Sequence, residues 1–203
     1  METPVTFNSS ELKLEGWLAA PRGASHAVVI CHPHPQYGGD MDNNVVVAVA
    51  TRLQRSGIAT LRFNFRGTGA SQGSYDHGVG EGDDARSATE LLRQRTGLAT
   101  VTLAGYSFGA IIALKAGHDH AGVDRLVAVA PPATMFDLSF LDGCPKPKLL
   151  ILGDRDQYCP YPALAQATTA MIGETQLEKV RGADHFFAGF EDRVSDSVLR
   201  FLR

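Results

Sequence analysis

A serine flanked by two glycines is the first candidate for chemistry in this sequence. Residues 105–109 read Gly-Tyr-Ser-Phe-Gly and fit the G-x-S-x-G pattern. The context strengthens the pattern, because an apolar β-rich run ends at Gly105 and an alanine-rich helical segment begins after Ser107. Such a strand–turn–helix holds a serine hydroxyl above the end of a strand, beside the free N–H groups of a helix N-terminus. The sequence therefore predicts Ser107 as a nucleophile, in preference to a serine that only caps the helix.

A serine hydroxyl needs a base, and His185 is the favoured one among seven histidines. It lies in a loop between the last predicted strand and the last predicted helix. Loops that leave the carboxyl ends of parallel strands gather along one sheet edge, so His185 is expected near Ser107. We also expect activity to fall on acidification, since a protonated imidazole cannot accept the serine proton. The histidines predicted to be solvated at the surface are His26, His77, His118 and His120.

An acidic partner for His185 should precede it in the chain, as it does in α/β architectures with this nucleophile pattern. Residues 153–156 read Gly-Asp-Arg-Asp after a buried strand and offer two carboxylates. Asp154 continues the strand, whereas Asp156 has turned into the loop, so Asp156 is preferred and Asp154 is the alternative. Asp184 ranks last, because side chains adjacent in the chain rarely orient each other well.

A metal site fits the sequence less well. His32 and His34, together with Asp154 and Asp156, offer four possible ligands for zinc or manganese. That set would have to converge from separate strands, and it would leave the predicted nucleophile without a role. We expect no metal, and we expect His32 to brace its loop by hydrogen bonding.

A dinucleotide site is also not favoured. The segment Gly67-Thr68-Gly69 begins like the G-x-G-x-x-G fingerprint, but residue 72 is Gln and Gly73 comes one place late. No helix is predicted to open there. We therefore expect no organic cofactor.

The elements that must position these residues alternate between strands and amphipathic helices. This alternation predicts a mostly parallel eight-stranded sheet with about five helices on its two faces. The predicted strands span residues 5–8, 12–19, 27–31, 58–65, 100–105, 126–130, 148–153 and 175–180. The predicted helices span residues 43–56, 83–95, 108–118 and 163–172, with a last helix after His185. Residues 67–82 are predicted to form a long surface loop.

Length and composition limit the classes of protein to which this chain can belong. The chain has 203 residues, of which 44% are hydrophobic, and this suits a single domain over residues 1–203. The formal net charge of −3, with no cluster of basic residues, argues against a nucleic-acid partner. The first fifteen residues do not resemble a secretory signal, and no apolar run reaches the length of a membrane span. Three cysteines without metal spacing are typical of reduced thiols in a cytoplasmic protein.

Taken together, these motifs give the chain a resemblance to a known family. Nearly the full length resembles the α/β-hydrolase superfamily, and especially a branch of small bacterial hydrolases with an HPHP segment. The resemblance rests on HPHP-x-x-GG at 32–39, MDNN at 41–44, FNFRG at 63–67 and the motifs around Ser107, Asp156 and His185. It implies an α/β-hydrolase fold and a catalytic triad of these last three residues, and it supports Asp156 over Asp154.

The superfamily also implies two backbone N–H donors for an oxyanion. One belongs to the residue after the nucleophile, here Phe108, and the other to the loop after the third strand. The two prolines of the HPHP segment have no N–H, so His34 is the expected donor, with Gln36 as the alternative. One such donor contributes about 3–4 kcal/mol in the transition state. Because the role belongs to the backbone, replacing the His34 side chain should reduce activity less than replacing Ser107.

These residues predict a serine hydrolase that transfers an acyl group from a small-molecule substrate to water. Residues 131–147 are too few for the cap domain that many relatives insert there, so we expect an open cleft. An open cleft favours carboxylic esters, with thioesters, amides and peptides as alternatives. A non-catalytic ligand-binding protein of the same fold is the competing class. Residues that would either line the cleft or pack in the scaffold are Tyr37, Tyr106, Phe108, Met135 and Phe136.

Overall fold

The computed structural model describes residues 1–203. Its strands are β1 (Thr3–Ser9), β2 (Leu12–Ala19), β3 (Ala27–Cys31), β4 (Ala59–Phe63), β5 (Val101–Tyr106), β6 (Val123–Val129), β7 (Lys148–Gly153) and β8 (Thr175–Val180). Its α-helices are α1 (Asn44–Arg55), α2 (Val79–Thr96), α3 (Phe108–Gly117), α4 (Tyr161–Thr168) and α5 (Glu191–Phe201). No helix combines the length and the apolar character that a membrane crossing requires.

The eight strands form one sheet in the order β1-β2-β4-β3-β5-β6-β7-β8. Strand β2 pairs antiparallel with β1 and β4, and every other neighbouring pair is parallel. The predicted mostly parallel eight-stranded sheet with five helices is thereby confirmed.

Helices cover both faces of this sheet, which explains the composition of its central strands. Every residue of β3, β4, β5 and β7 is buried. Buried side chains of α2, α3 and α4 pack on one face, and those of α1 and α5 pack on the other. Strands enclosed in this way bury apolar side chains on both faces, and this is why their sequences are continuous apolar runs.

The order of the strands places the candidate site. After β3 the chain crosses to β4 on one side, and β5 then pairs with β3 on the other side. The loops that leave the carboxyl ends of β3 and β5 therefore diverge at this point of the sheet. In open α/β sheets such a switch point is where ligands bind.

The sequence predicts the form of two connections between strands. The structure confirms one of these predictions and corrects the other. The segment between β6 and β7 contains only a short 3₁₀ turn at Ser139–Leu141, so the expected absence of a cap domain is confirmed. Helix α2 begins at Val79, four residues before the predicted start, so the predicted loop over 67–82 is too long. Glu81 accounts for part of this early start, because its carboxylate accepts the N–H groups of Asp76 and Gly78.

Candidate active site

Ser107 lies on a strained turn between β5 and α3. Its φ of 55° and ψ of −118° are uncommon for a residue with a side chain. A Cβ on Gly105 would lie 2.0 Å from the carbonyl oxygen of Gly109, and a Cβ on Gly109 would lie 2.3 Å from the carbonyl oxygen of His32. The two glycines of the motif are therefore required by close approach of the backbone on both sides of the serine.

A continuous hydrogen-bonded chain joins the three residues expected to form a triad. Ser107 Oγ lies 2.9 Å from His185 Nε2, and His185 Nδ1 lies 2.8 Å from Asp156 Oδ2. Because a carboxylate oxygen accepts, Nδ1 carries the imidazole proton, and Nε2 is then the acceptor for the serine hydroxyl. This arrangement can draw the hydroxyl proton toward the imidazole, which is what activates a serine for attack on a carbonyl carbon.

The carboxylate of Asp156 is held from several directions. Its side chain is fully buried, and its second oxygen accepts the backbone N–H groups of Tyr158 and Cys159 at 2.8 and 2.9 Å. The alternative acids serve the backbone instead. Asp154 accepts the N–H of Gly182 at 2.6 Å, and Asp184 accepts the N–H of Phe186 at 3.0 Å. Of the three candidates, Asp156 is the one hydrogen-bonded to the imidazole.

The loop after β3 brings the HPHP segment to the same edge of the sheet. The N–H of Gln36 donates to Nδ1 of His34 at 3.2 Å, so this amide is already engaged. The N–H groups of His34 and Phe108 have no acceptor within the protein. Two unengaged amides, one before the loop's 3₁₀ turn and one at the start of α3, are suited to bind a negatively charged oxygen.

His32 fixes the base of this loop, as the sequence suggested. The buried imidazole donates from Nδ1 to the carbonyl oxygen of Pro33 at 2.6 Å and accepts the N–H of Phe65 at Nε2, at 3.0 Å. Burial lowers the pKa of His32 to about 4, so the ring is neutral at pH 7. With both nitrogens engaged, His32 has no lone pair for a metal, and the four-ligand set with His34 and the two aspartates does not form.

The histidine loop is held by two contacts that the sequence analysis missed. The hydroxyl of Tyr106 donates to the carbonyl oxygen of His185 at 2.9 Å, and the side-chain amide of Asn44 donates to the carbonyl oxygen of Phe186 at 3.3 Å. Both donors belong to motifs already singled out, the serine turn and the MDNN segment. Their partners are backbone atoms far along the chain, and nothing in the sequence indicates such pairings.

Aromatic rings line both sides of the reactive side chains. On the side of the HPHP loop, the His34 ring lies 4.7–4.9 Å, between centroids, from the rings of Tyr37, Tyr75 and Phe108. On the other side, Tyr158 and Phe186 lie next to the imidazole of His185. The rings with large exposed surfaces are Tyr37, Tyr158 and Phe186.

The sequence leaves open whether five residues line the cleft or pack in the scaffold, and the structure decides between these roles. Tyr37 and Met135 are exposed at the surface, and Phe136 is half-buried against the core. Tyr106 and Phe108 are 3% and 4% exposed, so they pack in the scaffold. Their contribution to the site is therefore made through polar groups, the Tyr106 hydroxyl and the Phe108 N–H.

Comparison with known proteins gives a family match over more than half of the chain and a relative that aligns over nearly all of it. The family model described as "Serine aminopeptidase, S33" matches residues 23–140. The uncharacterized protein RP471 of Rickettsia prowazekii (strain Madrid E) is 33% identical over 208 residues, which cover 98% of this chain and 87% of that protein.

Solved structures agree over the whole chain. An α/β serine hydrolase homologue from Coxiella burnetii is 34% identical, with a TM-score of 0.90 over 99% of this chain and 97% of its own. The protein XC6422 from Xanthomonas campestris, described as an α/β serine hydrolase without a lid, is 30% identical, with a TM-score of 0.89 over 100% of this chain and 94% of its own.

Proposed function

Because this chain belongs to the α/β-hydrolase superfamily, in the family described as "Serine aminopeptidase, S33", we propose that it is a serine hydrolase that cleaves carboxylic esters of small acyl groups. The observation that carries the proposal is the hydrogen-bonded chain from Ser107 Oγ through His185 to Asp156. A serine that only capped a helix would need neither the strained backbone nor the imidazole at its hydroxyl.

The proposed reaction begins when Ser107 Oγ attacks the ester carbonyl carbon. His185 Nε2 takes the hydroxyl proton, and the carboxylate of Asp156 stabilises the imidazolium through Nδ1. The carbonyl oxygen becomes an oxyanion that accepts the N–H groups of His34 and Phe108. The acyl–oxygen bond to the alcohol then breaks, and the alcohol leaves with the proton from Nε2.

The second half of the reaction returns the enzyme to its starting state. A water molecule gives a proton to His185 Nε2 and attacks the acyl carbon bound to Ser107. The same two amides stabilise the second oxyanion. The bond to Ser107 Oγ breaks, the serine recovers its proton from the imidazole, and the carboxylic acid is released.

An ester substrate is favoured by the openness of the site. The 3₁₀ turn at Ser139–Leu141 is the only regular element between β6 and β7. No added subdomain therefore encloses the site to bind an extended peptide substrate. An alcohol is also a better leaving group than an amine, and it requires less precise protonation at the moment of departure. Because no cap covers the site, the alcohol portion of the ester would contact only the exposed side chains around His185.

Covalent labelling tests the proposed nucleophile. A fluorophosphonate probe should label the folded wild type and fail to label Ser107→Ala, while Ser25→Ala, at an exposed serine remote from the site, should label like the wild type. A folded wild type that is not labelled would instead indicate a non-catalytic ligand-binding protein. Matched p-nitrophenyl ester and anilide substrates then separate an esterase from a peptidase, because a peptidase should cleave the anilide at a comparable rate.

A further inference from the structure

The imidazole of His185 is in contact with two half-exposed aromatic rings, those of Tyr158 and Phe186. Its centroid is 4.9 Å from that of Tyr158 and 5.7 Å from that of Phe186, with interplanar angles of 66° and 88°. Tyr158 is 44% exposed and Phe186 is 55% exposed. Both contacts with the imidazole are T-shaped, and a large part of each ring remains open to solvent.

The backbones that carry these rings are fixed, although the rings are open. Tyr158 donates its N–H to Asp156 and accepts the hydroxyl of Thr134 at its carbonyl oxygen, at 3.1 Å. The N–H of Phe186 donates to Asp184, and its carbonyl oxygen accepts from Asn44. Loops held in this way present their side chains in a defined place before any ligand arrives, which reduces the entropy lost on binding.

Single exposed aromatic residues are common and need no explanation. Here, however, two of them flank the one imidazole that is bonded to Ser107. Neither ring covers a buried core, since each is exposed, and the hydrogen bonds that hold the loops involve backbone atoms. An apolar pair at a candidate active site is the kind of surface that a substrate covers.

The proposed reaction decides which part of the substrate lies there. The carbonyl oxygen must point to the amides of His34 and Phe108, and the leaving oxygen must come within hydrogen-bond reach of His185 Nε2 to receive its proton. The group attached to that leaving oxygen therefore lies beside His185, where the two rings are.

We propose that Tyr158 and Phe186 form a subsite for the alcohol portion of the ester, and that the preferred alcohol carries an aromatic or bulky apolar group. This inference rests on the proposed ester hydrolysis and adds its leaving-group class. An aromatic alcohol would stack on or meet the edges of the two rings and exclude water from the proton transfer to its oxygen.

Two esters with the same acyl group give a direct test. Benzyl acetate and methyl acetate form the same acetyl-enzyme, so the rate constant of its hydrolysis is common to both, and only acylation reports on the alcohol. We expect the wild type to prefer benzyl acetate in kcat/KM. In Tyr158→Ala and in Phe186→Ala, kcat/KM for benzyl acetate should fall about 5- to 10-fold, while that for methyl acetate and the hydrolysis of the acetyl-enzyme stay within about 2-fold.

Conservative variants and a control outside the proposed subsite complete the design. Tyr158→Phe and Phe186→Leu keep an apolar side chain and should retain most of the preference for the benzyl ester. Tyr161→Ala removes a nearby tyrosine whose ring lies under the ammonium group of Lys179, 4.0 Å from it, and should leave both esters unchanged.

Three outcomes would overturn the inference. Equal losses on both esters in the alanine variants would mean that the rings support His185 and do not bind alcohol. A wild type that is labelled by the fluorophosphonate but does not prefer benzyl acetate would overturn the subsite and leave the proposed function intact. Failure of the wild type to be labelled at all would overturn the proposed function, and the subsite with it.

Discussion

The hydroxyl of Tyr106 donates a hydrogen bond to the backbone carbonyl oxygen of His185, at 2.9 Å. Tyr106 precedes Ser107, so one buried side chain connects the turn that carries Ser107 to the loop that carries His185. Burial, and secondarily the charges of Asp156 and Asp184, raise the pKa of Tyr106, so the hydroxyl keeps its proton at neutral pH. This contact ties the backbone of His185 to the end of the strand that leads into Ser107.

Tyr106→Phe should therefore lower kcat about 10- to 100-fold, because an imidazole displaced by a fraction of an ångström no longer aligns with Ser107 Oγ. KM should change little, since Tyr106 is buried and does not meet the substrate. Steady-state kinetics on a p-nitrophenyl ester would measure the split, with Tyr161→Phe as the control for loss of an exposed hydroxyl. A rise in KM with unchanged kcat would contradict a positioning role.

The contribution of the His34 backbone N–H to catalysis can be separated from that of the His34 side chain. His34 has a φ of −58°, close to the value that proline imposes, so His34→Pro removes the N–H at little conformational cost. We expect His34→Ala to lower kcat about 10-fold or less, through lost ring contacts, and His34→Pro to lower it about 100- to 1,000-fold. Single-turnover rates on an activated ester would measure both.

Gln36→Pro is the matched control for that comparison. It deletes the amide that His34 Nδ1 already accepts, so it should behave like His34→Ala. A larger loss in Gln36→Pro than in His34→Pro would assign the oxyanion donor to Gln36.

The sequence predicts best where the local pattern and the fold agree. The predicted bounds of β3, β7 and β8 match the structure, because each is a run bounded by glycine, proline or polar residues. The chain has the α/β-hydrolase fold that its motifs indicate. Ser107 and His185 come together because each follows the carboxyl end of a parallel strand, and these ends lie along one edge of the sheet.

Helix α2 shows why the rest could not be predicted. Its first turn contains Gly80, and glycine lowers helix propensity, so local sequence favours a loop there. In the fold, a Cβ at this glycine would lie 1.9 Å from the guanidinium of Arg66, which forms a buried ion pair with Asp84 at 2.8 Å. A tertiary contact thus places the glycine inside the helix. Tyr158 and Phe186 were missed for a similar reason, since only the folded loops bring their rings to His185.

The two aspartates of the Gly-Asp-Arg-Asp segment should differ sharply when each is replaced by asparagine. In Asp156→Asn the remaining oxygen still accepts the N–H groups of Tyr158 and Cys159. The new NH2 group then faces His185 Nδ1 and favours the wrong tautomer, so kcat should fall about 10⁴-fold. Asp154→Asn weakens only the hydrogen bond to Gly182, which anchors the loop. It should cost about 1 kcal/mol of stability and leave kcat within about 10-fold. Comparable losses of kcat in the two variants would remove the assignment of Asp156 as the acid.

The buried imidazole of His32 should make the stability of the protein depend on pH. Its pKa is lowered by burial to about 4 in the folded state, whereas an unfolded chain titrates its histidines near 6.5. Between these values the unfolded state binds the proton and the folded state does not, so the free energy of unfolding falls as the pH falls. From pH 7.5 to 5.0 we expect a loss of about 2 kcal/mol from this group, measured by urea unfolding.

A non-titrating side chain at the same place should flatten that dependence. His32→Asn should be less stable than the wild type at pH 7.5, by about 1–3 kcal/mol, because the Phe65 N–H loses its acceptor. Its further loss between pH 7.5 and 5.0 should be smaller than that of the wild type by about the contribution of His32. His120→Gln serves as the control, since burial lowers the pKa of His120 too, but that ring is only partly enclosed. If His32→Asn and the wild type lose the same free energy over this interval, then His32 is not the group that remains neutral in the folded protein.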